Sequence, residues 1–374
     1  MGDTVIFLSG AYRPFFPAAA LFAGLAIPLW IASYASIVTP NSDPIMWHQH
    51  EMMWGYLPAA LAGFLFTAIP NWTKRPPLAP APLAVLFALW LAGRIGMFTA
   101  PEALPAQLIA AAFLPATAVL ALRELIAAGN RRNYVVAGVI FALALSQMIF
   151  LWSNAETGLT AGFALTLVLM THIGGRVTPA FSRNWLKARG AAKLPAPFGK
   201  VDQIAIIAVA ATGASWVLLG LSPVTGVIAT LATFALALRL SRWCGWSVRT
   251  EPLLFAQHAA YGWLAVGTAF LALSILSEGT SLAQAQHAFG AGAIGTMTAI
   301  VMLRALLGHS GRPIKATRFD TLTLCALHLG AALRVIADWA SDPTPFYHAG
   351  GTLWAAAMIA LAMRAFPIAI TPRL

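Results

Sequence analysis

His48 and His50 stand in the run WHQHEMMWGYLPAALAGFLFTAIP, and His287 opens the run HAFGAGAIGTMTAIVMLRALL; both runs are otherwise apolar. An ionisable side chain at membrane depth is costly and seldom idle. Imidazole is the commonest protein ligand for transition metals, and its neutral nitrogen suits haem iron, copper and zinc. The chain holds eight histidines and two cysteines, Cys244 and Cys325, which are not at metal-ligand spacing. Metal chemistry here would therefore use imidazole rather than thiolate, and no disulfide framework is supported.

Residues three, four, seven and eight positions apart share one face of a helix. From His287 that face runs through Gly290, Ala291, Ile294 and Gly295. From His48 it runs through Glu51, Met52, Gly55, Tyr56 and Ala59, and on to Ala62 and Gly63. Both stripes are mostly small. Such stripes serve close helix packing, or they leave room beside an axial histidine for a flat macrocycle about 10 Å wide. His50 points roughly 200° away from His48 around a helix, so it suits a second site or an interfacial role. Glu51, three residues from His48, is placed to orient it or to relay protons.

The elements that carry these residues follow from composition. The chain has 374 residues, 59% hydrophobic and 9% charged, against about 25% charged in soluble domains. Apolar runs near 20 residues recur, the length that crosses about 30 Å of hydrocarbon as helix. About twelve spans are predicted, from Phe15–Val38 and Met46–Pro70 through a short third, Leu83–Phe98, to Leu282–Gly308, Thr321–Ala337 and Tyr347–Phe366. The seventh and eighth, Gln203–Leu221 and Val224–Leu240, could merge or shift. The fold expected is all-α, a polytopic membrane bundle forming one domain over 1–374. Asp43–Pro44 reads as an N-cap with proline at the first helical position, and Thr344–Pro345 as the same device before the twelfth span.

Charge orients the bundle. Lys74/Arg75, Arg131/Arg132, Arg183 to Lys200, Arg242/Arg249 and Arg312 to Arg318 follow the even-numbered spans, while the other loops carry acids and almost no bases. Both termini are expected to be cytoplasmic, and the N-terminus lacks the features of a cleaved signal. The net charge of +11 is thus loop orientation, not nucleic-acid binding. An outer layer then holds His48, His50, His287, His348, Arg94 and Arg334, and an inner layer holds His172, His258 and His309, with His328 between them. Arg94 and Arg334 either snorkel outward or pair with an anionic cofactor group. Trp30, Trp47, Trp72, Trp90, Trp152 and Trp354 read as interfacial belt or packing residues. No GxSxG, HExxH or Walker sequence is present. No internal repeat is evident, which weighs against a transporter.

YRPFF (Tyr12 to Phe16), WHQHEMMWGY (Trp47 to Tyr56), AGFLFTAIPNWTKRPPL (Ala62 to Leu78), GGRVTPAFSRNWL (Gly174 to Leu186) and HAFGAGAIGTMTAIVMLRALLGHSGRP (His287 to Pro313) together resemble the NnrS family, end to end. The resemblance implies a bacterial inner-membrane protein containing haem and copper, associated with denitrification and nitrosative stress. Its twelve helices are distantly similar to haem–copper oxidases and nitric oxide reductases. His48, His50, His287 and His309 match the family blocks, and His172 and His258 are similar to family positions. On this reading His48 and His287 ligate haem b iron, with His50 the substitute for either and Glu51 close by. Arg94 and Arg334 meet the propionates, and His172, His258 and His309 are the candidate copper set. Nitric oxide would be reduced, with a quinol or cytochrome as electron donor, or only bound. The rival readings are a histidine-based secondary transporter and a metal or haem chaperone.

Overall fold

The computed structural model describes residues 6–37 and 43–374; Val38 and the first five residues of the leader lie outside them. Every regular element among the described residues is helical. Among the described residues twelve helices are long and apolar enough to cross a membrane: α1 Tyr12–Tyr34, α2 Pro44–Thr73, α3 Pro80–Thr99, α4 Leu104–Ala127, α5 Arg131–Trp152, α6 Ala155–Lys187, α7 Lys200–Leu219, α8 Pro223–Ser241, α9 Pro252–Leu276, α10 Leu282–His309, α11 Arg318–Trp339 and α12 Thr344–Ile370. The protein is thus an all-α polytopic bundle.

Local chemistry sets the helix ends. Asp43 Oδ1 accepts from the backbone N–H groups of Ile45 and Met46 at 2.7 and 3.2 Å, with Pro44 behind it, so α2 opens as expected. At α12 the cap differs from expectation. Asp342 Oδ1, not Thr344, takes the free donor, accepting from Thr344 N–H at 3.0 Å. The carboxylate two residues upstream accepts the N–H of Thr344, the first residue of the helix. α7 and α8 stay separate because Gly220 turns the chain at φ +60° and Ser222 Oγ caps Thr225 N–H. α3 is a full-length span that starts at Pro80, three residues before its expected start.

Two spans are not α-helical throughout. In α2 the residues Glu51–Tyr56 form a π-helical turn, and in α10 Ala288–Gly295 form another. The first ends just before Pro58, which has no N–H to give the preceding turn. Wide turns of this kind leave carbonyls for outside donors. Trp90 Nε1 donates to Gly55 O at 2.9 Å, and Trp354 Nε1 donates to Ala291 O at 3.2 Å.

The chain divides into two compact units. The first comprises Met1–Gly162, Val301–Ile314 and Met358–Leu374. Phe15, Phe16, Leu65, Leu83, Leu86 and Phe113 are buried in it. Arg13 closes its chain ends together: Nη1 donates to Ala369 O at 2.8 Å and Thr371 O at 2.7 Å, at the last turn of α12. The second comprises Phe163–Ile300 and Lys315–Ala357. At its centre Arg239 is fully buried. Its Nε donates to Asp202 Oδ1 at 2.9 Å, and its Nη1 donates to Thr171 O at 2.7 Å and to Tyr261 Oη at 2.8 Å.

Candidate functional site

In the first unit, α2 brings His48, His50 and Glu51 to one stretch of helix. His48 is half-buried and stacks on Trp30, ring centroids 4.7 Å apart. His50 and Glu51 are each 1% exposed. Glu51 Oε1 accepts from His50 Nδ1 at 2.8 Å and from Arg94 Nη1 at 2.5 Å. Gln147, from α5, donates Nε2–H to His50 Nε2 at 3.0 Å. A carboxylate only accepts and an amide nitrogen only donates, so neutral His50 carries its proton on Nδ1 and its lone pair is taken by Gln147. Glu51 Oε2, Arg94 Nε and Gln147 Oε1 have no hydrogen-bond partner among the described residues. That is spare polar capacity of the kind a small guest such as water satisfies.

The small stripe next to His48 is occupied by the protein itself. A Cβ at Gly55 would meet Arg94 Nη1, Glu51 Oε2 and the Phe22 ring, and one at Gly63 would meet Phe16. On this helix the packing alternative is the one realised. Arg94, expected to face a propionate, is ion-paired to Glu51 within that packing.

The second unit holds His287, the last residue of the α-helical start of α10. A reciprocal cap opens that helix: Ser281 Oγ accepts from Gln284 N–H at 3.2 Å, and Gln284 Oε1 accepts from Ser281 N–H at 2.9 Å. His287 Nδ1 donates to Ala283 O at 2.8 Å. The carbonyl only accepts, so the proton sits on Nδ1 and the lone pair on Nε2. This is how a backbone carbonyl orients an imidazole for metal ligation. The π-helical turn follows at once, and its glycines differ in surroundings. A Cβ at Gly292 would strike Trp263 and one at Gly295 would strike Trp354, whereas one at Gly290 would meet nothing closer than Phe163 at 4.0 Å. The stripe is filled farther along the helix but open beside the histidine.

The remaining expected residues each have surroundings of their own. Arg334 is half-buried, 4.4 Å over the Tyr347 ring, and its Nη1 donates to Asp338 Oδ1 at 3.3 Å. His172 and His309 are exposed; the His309 ring lies 5.8 Å from that of Tyr12. His258 is buried, with Nδ1 2.9 Å from Leu254 O and Nε2 3.4 Å from both Ser182 Oγ and Trp243 O. Both of its nitrogens thus face protein oxygens. His328 Nδ1 accepts from Trp263 Nε1–H at 3.1 Å, which places the proton of its neutral form on Nε2. His348 is exposed. Among the described residues no group of three or more His, Cys, Asp or Glu is arranged to hold a metal ion, the expected copper set of His172, His258 and His309 included.

Three groups escaped the sequence reading. Gln147 is a lone amide in LALSQMIF, and an amide at membrane depth was itself a signal. Trp90 and Trp354 read as belt or packing residues, yet both donate to π-turn carbonyls. Arg239 lies inside the expected eighth span, one residue before its end, and carries no motif, although it organises the second unit.

A family model described as NnrS protein matches residues 6–373, which includes all twelve spans. No curated protein matches the chain.

Proposed function

This chain belongs to the NnrS family, and we propose on that premise that it is a membrane protein of nitric oxide response that binds haem b through His287. The observation that supports this best is the His287 ring: Nδ1–H is held by Ala283 O at 2.8 Å, and the helix face beside it is open at Gly290. A π-helical turn directly after the residue fits a functional site. Bound haem would supply an iron able to take nitric oxide. The chain's part is to orient the imidazole and to keep bulk away at Gly290, where the nearest side chain is that of Phe163. Arg334 fits a propionate partner better than Arg94, because its pair with Asp338 is long, at 3.3 Å, and partly exposed, whereas Arg94 is bound to Glu51 in a packed interior. Among the described residues no group of three or more candidate ligands is gathered for copper. Nitric oxide is small and apolar and reaches a buried site through lipid. If the chain turns over, the reductant is a quinol or a cytochrome; without one, it binds and scavenges.

Protein purified from a haem-competent host should show a Soret band that shifts when the reduced form meets nitric oxide. His287→Ala should lose the band. Iron at background level in the wild-type protein, or an unchanged spectrum in His287→Ala, overturns the reading.

One observation favours a rival. The Glu51–Arg94 ion pair with His50 is buried at membrane depth, where ionisable clusters often mark ion or proton paths. A histidine-based secondary transporter would show substrate flux in liposomes with no haem bound.

A further inference from the structure

The second unit carries a small folded cap at its basic end. Two connections build it, residues 188–199 between α6 and α7 and residues 242–251 between α8 and α9. Ala196 N–H donates to Arg242 O at 3.0 Å, and Arg183 Nη2 donates to Pro195 O at 2.6 Å. Beneath them Leu186, Cys244, Val248 and Leu254 form a core of their own, with Phe181, Trp185 and Leu194 packed against it. The cap therefore has a fixed shape rather than being a pair of solvated loops.

Its outer surface is one-sided in charge. Lys187, Arg189, Lys193, Lys200 and Arg249 are exposed. The two acids of the region are withdrawn: Asp202 is buried and held by Arg239 and Arg242, and Glu251 is half-buried. Apolar groups stand among the bases, with Trp246 72% exposed and Phe198 55% exposed. The guanidinium carbons of Arg189 and Arg249 lie 3.8 and 5.4 Å from the Trp185 and Trp246 ring centroids, and Phe255 meets Trp246 edge-on. Loop bases alone would only orient the chain. A fixed cap with its acids removed and an indole left in the open does more. Guanidinium matches phosphate oxygens in a fork, indole settles where headgroup meets acyl chain, and unopposed bases prefer anionic over zwitterionic lipid.

We propose that this cap binds the phosphate headgroup of an anionic phospholipid, with Arg189 and Arg249 on the phosphate and Trp246 at the headgroup–acyl border. The inference stands apart from the haem reading.

Native mass spectrometry of the detergent-purified full chain, titrated with phosphatidylglycerol and phosphatidylcholine, tests it. Each base near an anionic surface is worth about fivefold in binding, so wild type should prefer phosphatidylglycerol by at least about tenfold on the same rule. Lys187→Gln, Arg189→Gln, Lys193→Gln and Arg249→Gln together should bring the preference close to parity. Lys187→Gln with Lys193→Gln, two fully surface changes that leave the cap's own bonds intact, should lower it part-way. Lys315→Gln with Arg318→Gln, in another basic loop, should leave it unchanged. Brominated phosphatidylglycerol should quench tryptophan fluorescence less in Trp246→Phe than in wild type. Equal binding of the two lipids by wild type, or a preference that survives the four changes in a monodisperse protein, overturns the proposal. Displacement of the lipid by millimolar inorganic phosphate, or capture of acidic soluble proteins without lipid selectivity, also overturns it, because the surface would then serve free anions or a protein partner.

Discussion

Glu51 is the carboxylate that most needs explanation, since a lone anion buried among apolar spans would be neutralised or excluded. It is tolerated because Arg94 and His50 both donate to it and because Gly55 leaves the space the guanidinium occupies. Such a pair adds little net stability, yet breaking it is expensive because one charge is left behind. Arg94→Ala should therefore cost roughly 3–5 kcal/mol, read as a lowered melting temperature in detergent. Arg94→Met combined with Glu51→Gln should recover most of that loss, because no bare charge remains. Gly55→Ala should lower the melting temperature too, by forcing Arg94 off the carboxylate. An Arg94→Ala protein that melts with wild type would show that Glu51 is not dependent on its counter-ion. Arg239 follows the same logic in the second unit, where lysine could not replace a guanidinium that reaches a carboxylate, a carbonyl and a phenol at once.

The π-helical turns matter at the scale of the element because they put histidines, open backbone carbonyls and tryptophan donors together. Each turn leaves a carbonyl that an indole satisfies. Trp90→Phe and Trp354→Phe keep the ring and remove only the N–H, so each should leave a buried acceptor unpaired at a cost of about 1–3 kcal/mol. They should differ in the visible spectrum. Trp354 serves the turn that follows His287, so its variant should shift the Soret band, while Trp90→Phe should leave it in place. Equal spectra in both variants would separate the π turn of α10 from the haem reading. The same turns explain what was legible in the chain. Helix number and placement follow from apolar run length, and the Asp43–Pro44 cap from two adjacent residues, because both depend on local chemistry. The faces beside the histidines were read with a period of 3.6, and a π turn winds wider, so the residues after His50 and His287 rotate out of that register. Which small residue is open and which is filled then depends on side chains far along the sequence, Arg94 for Gly55 and Trp263 for Gly292, and no local pattern encodes that pairing. His48 and His50 did separate as their spacing requires, one half-buried on Trp30 and the other enclosed between Glu51 and Gln147.

Across the whole molecule, two independent arguments predict that the first and last helices begin and end at one membrane face. The candidate spans among the described residues number twelve, an even count, which would leave both ends on one side. Within the first unit, Arg13 at the start of α1 donates to carbonyls at the end of α12, and Leu374 N–H donates to Ser310 O at 2.9 Å; neither contact depends on counting charges. On that count the basic loops, after the even-numbered spans, are expected on the same side, which the positive-inside rule assigns to the cytoplasm. A fluorescent protein fused after Leu374 should therefore fluoresce in a bacterial host, and alkaline phosphatase fused there should be inactive. Phosphatase inserted after Gly279, in the connection between α9 and α10, should be active. The Arg13 clamp adds a second expectation. Arg13→Ala removes charge-assisted bonds worth about 1.5–3 kcal/mol each at most, so the last turn of α12 should become sensitive to carboxypeptidase while the fusion reporters keep their sides. Phosphatase activity at the C-terminus would place the basic loops outside and reverse every depth assigned to the histidines, whereas an Arg13→Ala protein as protease-resistant as wild type would leave the orientation standing and remove only the clamp.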